Sequence, residues 1–473
     1  MENSKLIQLL KTFDRRELRE FKEFMESPLF NKHQELTDFY LYLKKNAPAF
    51  HPKKLEKKLV YQQLYGNKKY EDKQMRYLMS FTLKLAEQFV GWKKYQAQEV
   101  LVKTHILEAL VDRNLEKNYQ NIFQNAEAEL NDKPFRNTQY YQDKYLLTEV
   151  SNKHFAAKNL RKLNTKLQEV SNYFDVYYLS QKLKYSCEMM SMQRFLSADY
   201  SQNLIEEIGR FLEKSSYENI PAIALYHQVF LTLTDENNER HFEQLTLLID
   251  KHIGCFSDEE MREFYYHAIN YCIRKMRQKN EKYVEKALTI YTKGVENKTL
   301  LQNGILSPWG FKNIVKLGLR LNRFEWTEQF IRKNTDILAE EYRLNAYNYS
   351  LADLSYHKQE ISTALTHLRE VEFTDIFFTL DAKIMLLKIY YDNDEEEALL
   401  SLLTSFKIFL KRNQLISAEM KNTYENFINL LNQILRSSHA DSLDLQKKIN
   451  DTPLLTDRGW LLQVIQKLKK KPG

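Results

Sequence analysis

Leu351-Ala-Asp-Leu-Ser-Tyr-His-Lys-Gln-Glu-Ile-Ser-Thr-Ala-Leu-Thr-His-Leu368 is followed, at a shift of 34 positions, by Met385-Leu-Leu-Lys-Ile-Tyr-Tyr-Asp-Asn-Asp-Glu-Glu-Glu-Ala-Leu-Leu-Ser-Leu402. The shift superposes Leu351 on Met385, Tyr356 on Tyr390, Ala364 on Ala398, Leu365 on Leu399 and Leu368 on Leu402. Around these copies the apolar residues recur at helical spacing: Leu380, Ile384, Leu387 and Tyr391 make one stripe, and Leu399, Leu402, Leu403, Phe406 and Leu410 another. Upstream, Tyr265, Ile269, Cys272 and Met276 repeat the pattern. A helix pair of this kind has an apolar face that it cannot bury alone, so the copies are expected to stack.

Phe324-Glu-Trp-Thr327 and Val284-Glu-Lys-Ala287 read as earlier copies of the second-helix start, at longer and irregular spacings. A small residue (Ala287, Thr327, Ala364, Ala398) opens each second helix, where close packing leaves little room. With its period of 34, the segment from about 222 to 435 resembles the tetratricopeptide-repeat superfamily. The first-helix Trp and Gly positions of that family are mostly not kept. The whole chain also resembles bacterial proteins with a helical head and a repeat tail. The resemblance implies an all-α fold, a helical N-terminal domain followed by a tetratricopeptide-like α-α superhelix, or solenoid. Its groove would take an extended or helical protein segment.

Composition agrees with long helices. The 473 residues include only 10 Gly and 8 Pro, which disfavours sandwiches, barrels and nucleotide-binding α/β folds. Phe135 to Pro221 and Trp309 to Thr452 are free of internal proline kinks. The start of the chain reaches Lys11, Asp14 and Arg15 before a signal-peptide core can form, and no run approaches the roughly 18 apolar residues of a membrane span. A cytoplasmic location without membrane contact is expected. The odd set Cys187, Cys255 and Cys272 contains no C-x-x-C pair and reads as reduced thiols.

Four regions are expected: a basic helical domain over 1–95, divergent helix pairs over 96–221, repeats over 222–435, and a capping helix with a basic tail over 436–473. In the first, stripes begin at Leu6, Leu18, Leu36 and Met75, with short breaks at Ser27-Pro28, Ala47-Pro48 and Gly66-Asn67. Gly91 to Gln96 reads as the junction to the next region. Residues 1 to 95 hold 20 Lys and Arg against 12 Asp and Glu, whereas the remainder is balanced. The excess concentrates in Lys53, Lys54, Lys57, Lys58, Lys68, Lys69, Lys73 and Arg76, interleaved with Tyr61, Tyr65, Tyr70 and Tyr77. Such a surface can serve nucleic-acid phosphates and bases, an acidic protein, or solvent alone.

Familiar catalytic patterns are missing. Gly304 and Gly310 are not followed by Lys-Ser/Thr, and neither a G-x-S-x-G elbow nor H-E-x-x-H occurs. His252-Ile-Gly-Cys255 with His267 and Cys272 holds zinc-ligand types, but Cys272 falls on an apolar stripe. The acidic run Asp392, Asp394, Glu395, Glu396 and Glu397 lacks the spacing of a calcium loop and fits a helix N-terminus. Trp309, Trp326, Tyr347 and Tyr349 are candidate partner anchors that also fit helix-pair seams.

The reading is therefore a non-catalytic scaffold with no cofactor or metal, binding a protein segment in its repeat groove. Its alternatives are a nucleic-acid-binding regulator using the basic N-terminal domain, and an enzyme with an unrecognised site. The partner and the oligomeric state are not legible.

Overall fold

The computed structural model describes residues 1–158, 162–195, 199–371, 376–414, 416–437 and 442–470, without the side chains of 194, 195, 376, 377 and 468–470. The protein is all-α, and its chain forms two compact units. The first comprises Met1–Tyr185 and Gln202–Ile223; the second comprises Ser186–Ser201 and Ala224–Gly473.

In the first unit the head is built from α1 (Lys5–Lys11), α2 (Arg15–Glu26), α3 (Gln34–Lys45), α4 (Lys57–Tyr65) and α5 (Asp72–Gln96). Leu6, Leu10, Leu18, Phe21, Met25, Leu36, Phe39, Leu43, Met75, Leu78 and Phe89 all lie in one buried cluster, as their helical spacing predicts. Asp14 caps α2: its carboxylate accepts from the backbone N–H groups of Arg16 and Glu17 while Glu17 reaches back to the Asp14 N–H. A cap of this kind contributes about 1 kcal/mol. The junction expected at Gly91 to Gln96 is instead helical, since α5 runs for 25 residues without a break. A single glycine costs only about 1 kcal/mol there, which the buried face of α5 overrides.

The unit continues with α6 (Glu99–Asp112), α7 (Glu116–Asp132) and α8 (Thr138–Ala157), which share a core of Val100, Leu107, Tyr119, Leu130 and Leu147. The 31-residue α9 (Thr165–Phe195) belongs to both units, changing at Tyr185, and α10 (Ile205–Leu212) returns to the first.

The second unit holds most of α11 (Pro221–Thr234), then α12 (Glu239–Lys251), α13 (Asp258–Arg277), α14 (Lys282–Glu296), α15 (Pro308–Arg320), α16 (Phe324–Asn334), α17 (Glu340–His357) and α18 (Ile361–Arg369). It ends with α19 (Ile376–Asp392), α20 (Glu396–Arg412), α21 (Ala418–Arg436), α22 (Ser442–Asp451) and α23 (Arg458–Lys470). From α12 onward each helix packs on the next in sequence, and α15 on α17 and α17 on α19 as well, which is the stacking of a solenoid.

One turn recurs. In the pairs α6/α7, α13/α14, α15/α16, α17/α18 and α19/α20, a single residue takes the left-handed conformation: Asn114, Lys279, Asn322, Gln359 and Asp394. Its N–H donates to the carbonyl three residues back, and the next N–H to the carbonyl five residues back, as in Asn322 to Leu319 and Arg323 to Gly318. This double closure satisfies the last carbonyls of the first helix. None of the five residues is glycine, which is how so many turns are made from so few glycines.

Of the small residues expected at the second-helix starts, Ala287, Thr327 and Ala364 are fully buried and Ala398 is half-buried. A Cβ on Gly318 would stand 2.4 Å from Thr327 Oγ1. One element was not expected. Leu301–Gln302 (β1) and Ile305–Leu306 (β2) pair antiparallel across Asn303-Gly304, both at positive φ, the two-residue loop that Asn-Gly favours.

Candidate functional site

The middle of α17 is buried on all sides. From Asn345 to Tyr356 only Tyr347 is half exposed, because α15 and α19 flank the helix and α16 and α18 back it. A helix so placed should be apolar throughout. It nevertheless carries Tyr349 and Asp353 at i and i+4, with Tyr356 and His357 one turn further, so these four share a face.

That face opens on a recess of about 690 Å³ within the second unit. α15 contributes Lys316 and Arg320, α19 contributes Asp381, Lys388 and Asp392, and α23 with its preceding turn contributes Asp457, Trp460, Gln463 and Lys467. α23 is held there by Leu461, Val464 and Ile465, which are buried against Leu380, Ile384 and Leu387 of α19 and Phe427 of α21.

Most charges in the recess are paired. The Lys312 ammonium contacts the Asp381 carboxylate, whose other oxygen accepts from the Tyr424 hydroxyl at 3.2 Å. Lys388 Nζ lies 2.8 Å from Asp457 Oδ1. The Tyr356 hydroxyl donates to Asp392 at 2.6 Å, and Lys467 approaches the same carboxylate at 3.4 Å. Arg320 turns to Glu281 at 3.1 Å.

Asp353 has a side chain only 7% exposed, contacted by His357 Nδ1 at 3.3 Å. Burial raises the Asp353 pKa, but the His357, Lys316 and Lys388 charges outweigh it and hold the carboxyl below its ordinary range. Lys316 makes no ion pair or hydrogen bond with another described residue. Burial lowers its pKa, but the Asp381, Asp353 and Asp457 carboxylates raise it further, so the ammonium stays charged. Tyr349, 4% exposed, is pushed well above its usual pKa by burial and then by the same carboxylates. The hydroxyl is a neutral donor.

The expected anchors disperse. Tyr349 lines the recess, but Tyr347 accepts a hydrogen bond from Arg332 at 3.1 Å on another side of α17. Trp326 stacks on Phe330 at 5.5 Å, in the α15/α16 seam. Trp309 is 44% exposed with Lys312 over its ring at 4.6 Å. Asp392 belongs to the recess, whereas Glu396 and Glu397 lie in the first turn of α20. Sequence patterning did not single out Lys316, Asp353, Asp381, Lys388 and Asp457. For Lys316, Asp353 and Lys388 the available signal was a lone charge among apolar or small neighbours, as in Ile314-Val-Lys-Leu-Gly318 and Leu351-Ala-Asp-Leu-Ser355.

In the head, Lys53, Lys54, Lys58, Lys68, Lys69, Lys73 and Arg76 are exposed and Lys57 is half-buried. Asp72 pairs with Lys57 at 2.9 Å and Arg76 at 3.0 Å. The interleaved tyrosines turn inward: Tyr61 is 5% exposed and packs on Tyr65 and Tyr70, so its ring offers no face to a base. Cys255 Sγ lies 3.9 Å from His252 Nδ1, and the buried Cys272 thiol is pushed up to about 12 by burial. Among the described residues no cluster of three or more His, Cys, Asp or Glu is placed to hold a metal, and no helix is long and apolar enough to cross a membrane. Lys471-Pro-Gly473 of the expected basic tail lies outside the described residues.

Compared with known proteins, the chain matches no protein-family model, no curated protein and no solved structure.

Proposed function

We propose that the protein is a non-catalytic interaction scaffold of the tetratricopeptide type, acting in the cytoplasm, that holds a segment of a protein partner against the face formed by α15, α17 and α19. The observation carrying this reading is the run of helix pairs in the second unit, closed by one recurrent turn and presenting an open polar recess on their first helices. Solenoids use such faces to bind extended partners.

A second reading, nucleic-acid contact by the head, draws on the exposed lysines around Lys58 and Lys68. It would rest mainly on phosphates, with steep salt dependence.

Photo-crosslinking in full-length protein separates the two, with the reactive residue at Gln463 on the rim of the recess or at Lys58 on the head. A protein adduct at Gln463 that survives nuclease and high salt supports the scaffold. Adducts only at Lys58, removed by nuclease, would move the function to the head, and no protein adduct at Gln463 would end the scaffold reading.

A further inference from the structure

Two opposite charges, Lys316 and Asp353, line the recess. Lys316 stands accessible without an ion-pair or hydrogen-bond partner among the described residues. Asp353 is 5% exposed and, among the described residues, its carboxylate meets only the His357 ring of its own helix. Tyr349, one turn before Asp353, turns its hydroxyl to the same space and makes no hydrogen bond with a described residue. Among the described residues, an exposed ammonium without a partner, a nearly buried carboxylate met by one imidazole, and a hydroxyl without a partner thus line one cavity wall, an arrangement that a ligand carrying both charges would complete.

We infer that the recess binds a small zwitterion, a free L-amino acid or a short peptide, with its carboxylate toward Lys316 and its ammonium toward Asp353. An anion alone meets Asp353, Asp381 and Asp457; a cation alone meets Lys316 and Lys388. A ligand carrying both charges answers both sets. The depth of Asp353 and Tyr349 excludes a folded partner surface, and about 690 Å³ is the size of a small-molecule site. The ammonium gains a charge-assisted contact to Asp353, the carboxylate gains one from Lys316, and the Tyr349 hydroxyl is free to donate to the same carboxylate.

The test is calorimetric titration of full-length protein with the common L-amino acids and simple dipeptides at millimolar concentration. The best of them is then repeated as its amide, which lacks the carboxylate, and as its N-acetyl derivative, which lacks the ammonium. At least one parent should bind, and each blocked form should bind at least about tenfold more weakly, because it lacks the charge that Lys316 or Asp353 would meet. Lys316→Met should weaken the parent by a similar factor and abolish the preference for acid over amide. Asp353→Asn should abolish the preference for free over acetylated amine.

Lys316 makes no ion pair or hydrogen bond with a described residue, so K316M loses only its attraction to Asp353, Asp381 and Asp457, is expected to fold with a melting temperature lowered by a few degrees, and keeps the test valid where D353N fails to fold. No binding by any parent to folded wild-type protein, blocked forms equal to parents, or K316M equal to wild type would each overturn the inference. It stands apart from the scaffold reading: crosslinks at Gln463 can fail while an amino acid binds, and the reverse.

Discussion

Gly318 and Thr327 show how much one atom matters in the repeat stack. Thr327 is fixed by its hydroxyl, which donates to the Arg323 carbonyl at 2.8 Å, and the Trp326 ring closes the other side, 3.2 Å from where an alanine methyl would stand. Gly318→Ala should therefore cost about 1–3 kcal/mol by overpacking, read as a lower denaturant midpoint. Gly254→Ala, which meets nothing within 4 Å, should not. His267 makes a pH prediction. Burial, then Arg274, lowers its pKa from 6.5 to about 4, so the folded state favours the neutral ring. With the folded value below the unfolded one, the stabilisation is present above pH 6.5 and is lost as pH falls toward 4. Relative to His267→Gln, the wild type should lose up to about 3 kcal/mol across that window, measured by chemical unfolding at each pH. Packing residues such as Ala287, Thr327 and Ala364 were legible because smallness at a repeated position has one common cause. Lys316 and Asp353 were not, because a charge reads as surface until the neighbours that bury its helix are known.

Helices and turns were read with unequal success. The stripes of α2, α3, α5, α19 and α20 follow directly from apolar spacing, and Pro28 and Pro48 lie just past the ends of α2 and α3. Gly91 misled: inside α5 it interrupts propensity but not burial. Gly91→Ala, with open space around its Cβ, should stabilise the protein by about 0.5–1 kcal/mol in thermal unfolding. The recurrent turn escaped notice because Asn and Asp favour a positive φ but Lys279 and Gln359, at the same position in other pairs, carry no such signal. At Lys279, φ is 64°. Lys279→Gly should relieve the left-handed strain and stabilise by up to about 1 kcal/mol, whereas Lys279→Val should destabilise by more, both checked as shifts in midpoint. The β1–β2 hairpin was carried by Asn303-Gly304, a signal weighed only as a possible phosphate loop.

At the scale of the whole chain, the head keeps a core of its own, from Leu6 to Phe89, while the second unit is a succession of neighbour contacts. Damage in a stack of this kind is felt mainly by adjacent pairs. Hydrogen exchange on G318A should accordingly rise in α15 through α18 and stay unchanged at Phe21, Phe39 and Phe89; uniform acceleration across both units would contradict the separate cores. The all-α class was visible in the scarcity of glycine and proline and in the 34-residue shift. The unit change inside α9 was not, since an unbroken helical pattern carries no mark of where its neighbours change. The other crossing falls at Ile223, inside α11.

The loop between α14 and α15 has a chemical consequence. Asn303 and Gly304 are both exposed, and the nitrogen after an asparagine side chain is least shielded when it belongs to glycine. Attack of that nitrogen on the carboxamide expels ammonia and closes a succinimide, which opens to aspartate or isoaspartate. Isoaspartate routes the backbone through an additional methylene in a loop whose pairing depends on two residues. Isoaspartate formed at Asn303 would therefore break the pairing of Leu301 with Leu306 and of Gln302 with Ile305.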